Sequence, residues 1–175
     1  MNICLLGNNL TNLVLANILL RKKVNVEIVL QTHQTSVKNT VRTIAISDEN
    51  YNFLKENIKV VSTLGWPTKS IKIYTDNKSS SELFEFKKKN KNNFYLLKYI
   101  ELYNLLKKNK FLKFIKLKNY NLESIEKRNY DFIINSDQNN LITKKYFQKK
   151  IEKNYNSSAH TILISHQKTE NKIAK

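Results

Sequence analysis

Ile3-Cys4-Leu5-Leu6-Gly7-Asn8-Asn9-Leu10-Thr11-Asn12 is the stretch on which the fold turns. Four consecutive apolar residues have the length and composition of a strand buried on both faces, and Gly7 supplies a break at which the backbone can bend. From Leu10 the residues Leu13, Val14, Ile18 and Leu20 recur every three or four positions. That spacing predicts a helix ending at Arg21-Lys22-Lys23, where cations suit the negative end of the helix dipole. Val24 to Leu30 reads as a second strand. Strand, glycine turn, helix and strand within about 30 residues make a βαβ unit with parallel strands and a right-handed crossover.

Such a unit has a physical use. The helix that starts near Leu10 points free N–H groups and its positive end at the turn, which makes a seat for a diphosphate. A dinucleotide site reads G-x-G-x-x-G at this place and carries an acid at the end of the second strand for the ribose hydroxyls. Here Asn9 and Asn12 occupy the second and third glycine positions, and Gln31 stands where the acid would be. Asn9 tolerates unusual backbone angles but adds a side chain where a phosphate approaches, and Asn12 holds helix and strand further apart than glycine would. Gln31 can bond a hydroxyl, without the assistance of charge. On these residues alone the segment suits a dinucleotide site and a purely structural βαβ unit equally.

The whole chain narrows the classes. Its 175 residues are 41% apolar, enough for one domain with a real core. A single cysteine, Cys4, excludes a disulfide framework and a cysteine-built zinc site, and His33, His160 and His166 lack metal-ligand spacing, so no metal is expected. The net charge of +17 comes from 28 Lys against only three Arg, Arg21, Arg42 and Arg128. Because base and phosphate readers favour the forked guanidinium, scattered lysines read as a solvated surface, and nucleic acid is not the expected partner. The apolar stretch Ile3 to Leu20 is interrupted by Gly7 and four asparagines, too polar for a membrane span. A cytoplasmic, soluble protein is expected, with lysine-rich faces able to rest on the inner face of an anionic membrane.

Beyond the polar stretch 31–41, Thr43 to Ile46 reads as a short strand and Asp48 as the cap of a helix through Tyr51, Phe53 and Leu54. Gly65-Trp66-Pro67 reads as a turn. Ile71 to Thr75 and Leu83 to Phe86 alternate as a hairpin, and Lys87 to Asn93 is a charged turn. Tyr99, Leu102, Tyr103, Leu105, Leu106 and Phe111 suggest a second amphipathic helix. Strands are expected near Phe114 to Lys118, Leu122 to Ile125, Tyr130 to Asn135 and Ala159 to Ser165. Cys4, inside a buried strand, reads as inert packing.

Four stretches together resemble the N-terminal half of the FAD-dependent aromatic-ring hydroxylases, the class A flavoprotein monooxygenases, in their ubiquinone-biosynthesis branch. Ile3 to Gln31 resembles the ADP-binding βαβ unit of the flavin site. Arg42-Thr43-Ile44-Ala45-Ile46-Ser47 is similar to the family's Arg-x-x-Ala-(Ile/Leu)-Ser segment. Trp66 through Glu101-Leu102 follows the family's strand and helix start, with Lys98, Tyr99 and Ile100 in place of Glu-Asn-Arg. Tyr130 to Asn140 looks like the family's D-(L/Y)-V-V-G-A-D-G-A-N segment, in which Asp137 keeps the carboxylate and Gln138 replaces a glycine.

The resemblance implies an α/β, Rossmann-like FAD/NAD(P)-binding fold with a βαβ start and a mixed sheet with an antiparallel excursion. Residues 1–150 would form an incomplete FAD-binding domain and residues 151–175 the start of the substrate-domain sheet, the chain stopping before the rest of that domain. It implies FAD as cofactor, NAD(P)H as co-substrate, and O2 with an aromatic quinone precursor as substrates, within a quinone-biosynthesis complex. Gly7, Asn9 and Asn12 would lie at the diphosphate, Gln31 at the ribose, Arg42 near the flavin and Asp137 in the adjoining turn. No catalytic acid, base or nucleophile is indicated, and the 175 residues by themselves are not expected to catalyse the reaction. The rival expectations are a non-catalytic, degenerate flavin fold acting as a scaffold, and a basic nucleic-acid-binding protein.

Overall fold

A computed structural model describes residues 1–31, 42–75, 81–89, 91–117, 122–137, 140–147, 149, 151, 153–158 and 173–174. Along the chain run β1 (Asn2–Leu6), α1 (Leu10–Arg21), β2 (Asn25–Gln31), β3 (Thr43–Ser47), α2 (Asp48–Asn57), β4 (Trp66–Thr68), β5 (Ser70–Tyr74) and β6 (Glu82–Lys87). There follow β7 (Phe94–Lys98), α3 (Tyr99–Lys107), β8 (Lys113–Leu117), α4 (Leu122–Glu126), β9 (Phe132–Asn135), α5 (Leu141–Tyr146) and β10 (Ile173–Ala174). The architecture is the expected Rossmann-like α/β class, a parallel sheet joined to antiparallel ones. The chain forms two compact units, residues 1–38 with 103–160 and residues 39–102 with 161–175, so the boundary falls inside α3.

The first unit is built on an all-parallel sheet in the order β8-β2-β1-β9. Its central strands are apolar on both faces, as burial between two layers of helices requires. Cys4, Leu6 and Val29 pack on one face with Ile125 of α4 and Ile142 of α5. Leu5 and Ile28 alternate to the other face, and α1 buries Leu13 and Ala16. Each large apolar side chain so enclosed contributes about 2 kcal/mol. The helix α1 ends where Lys23 takes a left-handed φ of 60° and the Val24 N–H returns to the Leu19 carbonyl at 3.1 Å.

The second unit holds two three-stranded sheets, β3-β7-β4, which is antiparallel, and β10-β5-β6, in which β5 and β6 form the expected hairpin. Tyr51 of α2 stacks on Tyr95 of β7, with ring centroids 3.7 Å apart.

Several local expectations need correction. Leu122 to Ile125 is helical, part of α4, and Ile125 is fully buried on it. The cap of α2 is Ser47, whose hydroxyl accepts the Asn50 N–H at 3.2 Å, while Asp48 takes the first helical position. Trp66 and Pro67 belong to strand β4, so the turn is confined to Gly65. Phe111 lies beyond the end of α3 and is exposed. The strand expected at Ala159 to Ser165 lies outside the described residues.

Candidate functional site

The order β8-β2-β1-β9 contains a reversal. From β1 the chain moves outward to β2, later adds β8 beyond it, and returns to place β9 on the other side of β1. In parallel sheets ligands bind outside the carboxyl ends of the strands at such a switch point, here between β1 and β9. The residues that line it are therefore those just after Leu6 and just after Asn135.

On the β1 side, the Gly7 N–H extends the ladder to β2 by donating to the Val29 carbonyl at 3.0 Å. Its φ of +99° is available to glycine and strained for other residues. Asn9 is extended and caps α1, its side-chain oxygen accepting the Asn12 N–H at 3.0 Å. On the β9 side, Asp137 packs against the turn. A methyl group placed on Gly7 would lie 3.2 Å from Asp137 Cβ and 3.6 Å from both Asp137 Oδ2 and Asn9 Nδ2.

Hydrogen bonds then close the crevice from side to side. Asn9 Nδ2 donates to Ser136 Oγ at 2.9 Å, and the Ser136 hydroxyl donates to Asn12 Oδ1 at 2.9 Å. Asn12, fully buried, donates from Nδ2 to the carbonyls of both Leu6, at 2.8 Å, and Gly7, at 2.7 Å. Instead of holding helix and strand apart, it ties them together. A second ring fixes Asp137: its N–H donates to Asn135 Oδ1 at 3.1 Å, and its carbonyl accepts the Thr143 hydroxyl at 2.6 Å. Asn140 completes the ring, donating to Asn135 at 2.7 Å and accepting the Thr143 N–H at 2.7 Å. Beside the turn, Asn8 Nδ2 donates to the Tyr103 hydroxyl at 2.5 Å, while Asn8 Oδ1 is buried with no partner among the described residues. Burial pushes the Tyr103 phenol up, opposed by the Asn8 bond.

Four of the six expected site residues, Gly7, Asn9, Asn12 and Asp137, thus meet in one place. Gln31 ends β2 opposite Leu117 of β8. Arg42 belongs to the second unit, is exposed, and sets its guanidinium 5.8 Å from the ring centre of Tyr99, whose N–H donates to its carbonyl at 2.8 Å. Sequence reasoning missed Ser136, Asn135, Asn140 and Thr143 as a network. The signal was present: short polar residues follow directly on the apolar run of β9. The three histidines lie outside the described residues, and no group of metal-ligating side chains occurs among those described.

Towards the amino ends of the same strands, Glu27 accepts hydrogen bonds from the Tyr130 hydroxyl and, at 3.3 Å, from Arg128. They line a cavity of about 290 Å³ together with Ile3, Phe111 and Lys113. Burial pushes the Tyr130 phenol up to about 12, helped by its bond to Glu27 and opposed by that from Arg128. Burial also pushes the Cys4 thiol up to about 12, with the Glu27 carboxylate adding to it and Arg128 opposing. Cys4 is therefore the inert packing group its place suggested.

No family model matches the sequence, and no curated protein matches it significantly. Among solved structures, a Photorhabdus luminescens protein described as an FAD-containing monooxygenase superposes on 85% of the chain with a TM-score of 0.61 and 15% identity. The chain shares that protein's fold over this stretch. It spans 42% of that protein's length. The 2,6-dihydroxypyridine-3-hydroxylase of Arthrobacter nicotinovorans is similar to 65% of the chain, which covers 28% of it, at 17% identity and TM-score 0.45. Klebsiella pneumoniae HpxO, solved with FAD and uric acid, is similar to 65% of the chain, which covers 30% of it, at 15% identity and TM-score 0.47.

In parallel sheets of this kind ligands, dinucleotides among them, sit at the switch point, and here the glycine turn and the N-terminal end of α1 lie at it. The side chains are not arranged for a dinucleotide. Asn9, Asn12 and Ser136 satisfy one another and the two strand-end carbonyls, and they do not leave the bare hollow that a diphosphate needs.

Proposed function

We propose that this chain is the FAD-binding portion of a flavin-dependent monooxygenase that hydroxylates an aromatic ring, its substrate a quinone precursor of ubiquinone biosynthesis. Residues 1–150 would belong to the FAD-binding domain and 151–175 to the start of the substrate sheet. FAD reduced by NAD(P)H supplies, in such enzymes, the oxygen chemistry, and the protein supplies binding, orientation and exclusion of water. The observation that carries the reading is the convergence of Gly7 and Asp137 at the switch point of a parallel sheet whose fold is shared with a flavin monooxygenase.

The parts of the chain that would act are those of the crevice. The Gly7 turn and the first amides of α1 would face the diphosphate, Gln31 the ribose, and Asp137 the adjoining turn. Arg42 is proposed for the flavin on the strength of the sequence resemblance. Asn9 opposes all of this until its amide turns outward and releases Ser136. Partners in a quinone-biosynthesis complex would complete the substrate site.

The closed network itself favours a second reading, in which the chain is a non-catalytic, degenerate flavin fold that serves as a scaffold. Titration with FAD separates the two. Under the first reading, FAD at 100 times its dissociation constant stabilises the protein by about 2.7 kcal/mol in urea unfolding. Asn9→Gly then binds FAD more tightly, because the obstructing amide is gone. If neither the parent nor Asn9→Gly is stabilised by FAD, the scaffold reading stands and the flavin assignment falls.

A further inference from the structure

Among the described residues, the hairpin β5–β6 carries an exposed apolar face beside a concentration of positive charge. The strand β6 is, among the described residues, the last of its sheet, and all six of its residues are exposed. The ladder sets Phe84 opposite Ile73 and Phe86 opposite Ile71, so these four share one face. Phe84 is 52% exposed, Phe86 48% and Ile73 46%. The two rings touch edge to face, with centroids 4.3 Å apart. Where β6 ends, Lys87, Lys88, Lys89 and Lys91 follow within five positions. Asn93 binds this turn to the preceding strand connection, Nδ2 donating to the carbonyls of Phe86 at 2.8 Å and Lys69 at 3.1 Å, which brings a fifth lysine to the same end. Lys72, within the hairpin, is held by Glu82 at 2.9 Å. Among the described residues, none of the other five lysines makes an ion pair.

We propose that this hairpin docks on a bilayer bearing anionic headgroups, with Phe84 and Phe86 entering the headgroup layer and the five lysines meeting lipid phosphates. The combination decides the occupant. Aromatic rings and long lysine stems both suit an interface that is apolar on one side and wet and negative on the other. A second copy of the chain would set five unpaired lysines against five more. A nucleic acid would call for ring faces open to stacking and for the forked donors of arginine, and this hairpin contains no arginine. The proposal goes beyond the oxygenase reading and stands whether or not FAD binds.

The test is co-sedimentation of the full chain with vesicles of phosphatidylcholine alone or with roughly one third phosphatidylglycerol, the anionic fraction on which lysine attraction acts. The chain should bind the anionic vesicles only, and binding should fall as salt is added. At about fivefold per lysine, the triple variant Lys87→Gln/Lys88→Gln/Lys89→Gln should bind about a hundredfold more weakly. Phe84→Ser/Phe86→Ser should lose on the order of tenfold, from partial burial of two rings. As a charge-matched control, Lys108→Gln/Lys110→Gln/Lys116→Gln alters three exposed lysines of the first unit, none of them part of the hairpin, and should stay within about twofold of the parent. Circular dichroism checks folding, and since every β6 side chain is exposed the variants should be folded. The proposal is overturned by any of four results: no binding, equal binding to neutral vesicles, equal losses in the two lysine triples, or no loss on removing both rings.

Discussion

The two glycines of this chain occupy similar backbones and very different surroundings. Gly7 and Gly65 both have φ near +100°, at 99° and 105°, and each follows an apolar residue. Over Gly65 lies an aromatic ring: an added methyl would come within 2.9 Å of Tyr51 Cε2. The Tyr51 hydroxyl donates to the Leu64 carbonyl, and its ring stacks on Tyr95. Burial pushes this phenol up, with Tyr95 adding to it. Over Gly7 lie Asn9 and Asp137, with Ser136 and Asn12 bonded behind them. One glycine admits packing, and the other admits a polar network at a sheet's switch point. The conformation of a glycine therefore says that something approaches closely, and only its neighbours say what.

The widest separation between the two should come from filling each space. Gly65→Val combines a strained φ with overlap on a stacked ring, and should cost roughly 4 kcal/mol in urea unfolding. Gly7→Val meets its nearest atom at 3.2 Å and should cost only about 2 kcal/mol, while abolishing any FAD binding. Equal costs would mean that backbone strain alone decides and that the neighbours are irrelevant.

Next in size is Asn12→Leu, which takes from the Leu6 and Gly7 carbonyls the amide donor they share and from the Ser136 hydroxyl one of its acceptors. A loss of about 3 kcal/mol is expected, as for buried polar groups left unsatisfied. A loss below about 0.5 kcal/mol, the level of an ordinary surface change, would show that the network is not what closes the crevice.

The smallest effect of a single substitution is expected near the amino ends of the strands of the first unit, at Tyr130. In the folded chain Cys4 and Tyr130 hold their protons to about 12, above the ordinary values of 9.0 and 10.0. The unfolded chain gives up these protons first, so their contribution to stability is complete below pH 9 and drains away as pH rises toward 12. Urea midpoints should fall between pH 8 and pH 11, and Tyr130→Phe should reduce the fall. Consistent with this, Cys4 should resist thiol reagents at pH 8 until the chain is unfolded.

Much of this was written in local pattern. The apolar run Ile3 to Leu6, the three-and-four spacing of α1 and the alternation across β5 and β6 each fixed an element and its faces. The tie between Gly7 and Asp137 was visible only through a family likeness, since 130 positions separate them. Asn12 was misjudged because its type suggested a spacer, whereas its amide reaches the carbonyls of both Leu6 and Gly7. Leu122 to Ile125 was misjudged because four residues satisfy the periods of both strand and helix.

What the sequence determined by itself was therefore the βαβ start, the glycine turn and the two-sided burial of β1, all consequences of side-chain period and of one residue without a Cβ. Only the tertiary structure decided that β9 lies beside β1 and delivers Ser136 and Asp137 to that turn. Strand order depends on which apolar faces can be buried together across more than a hundred residues, and no local period carries that information.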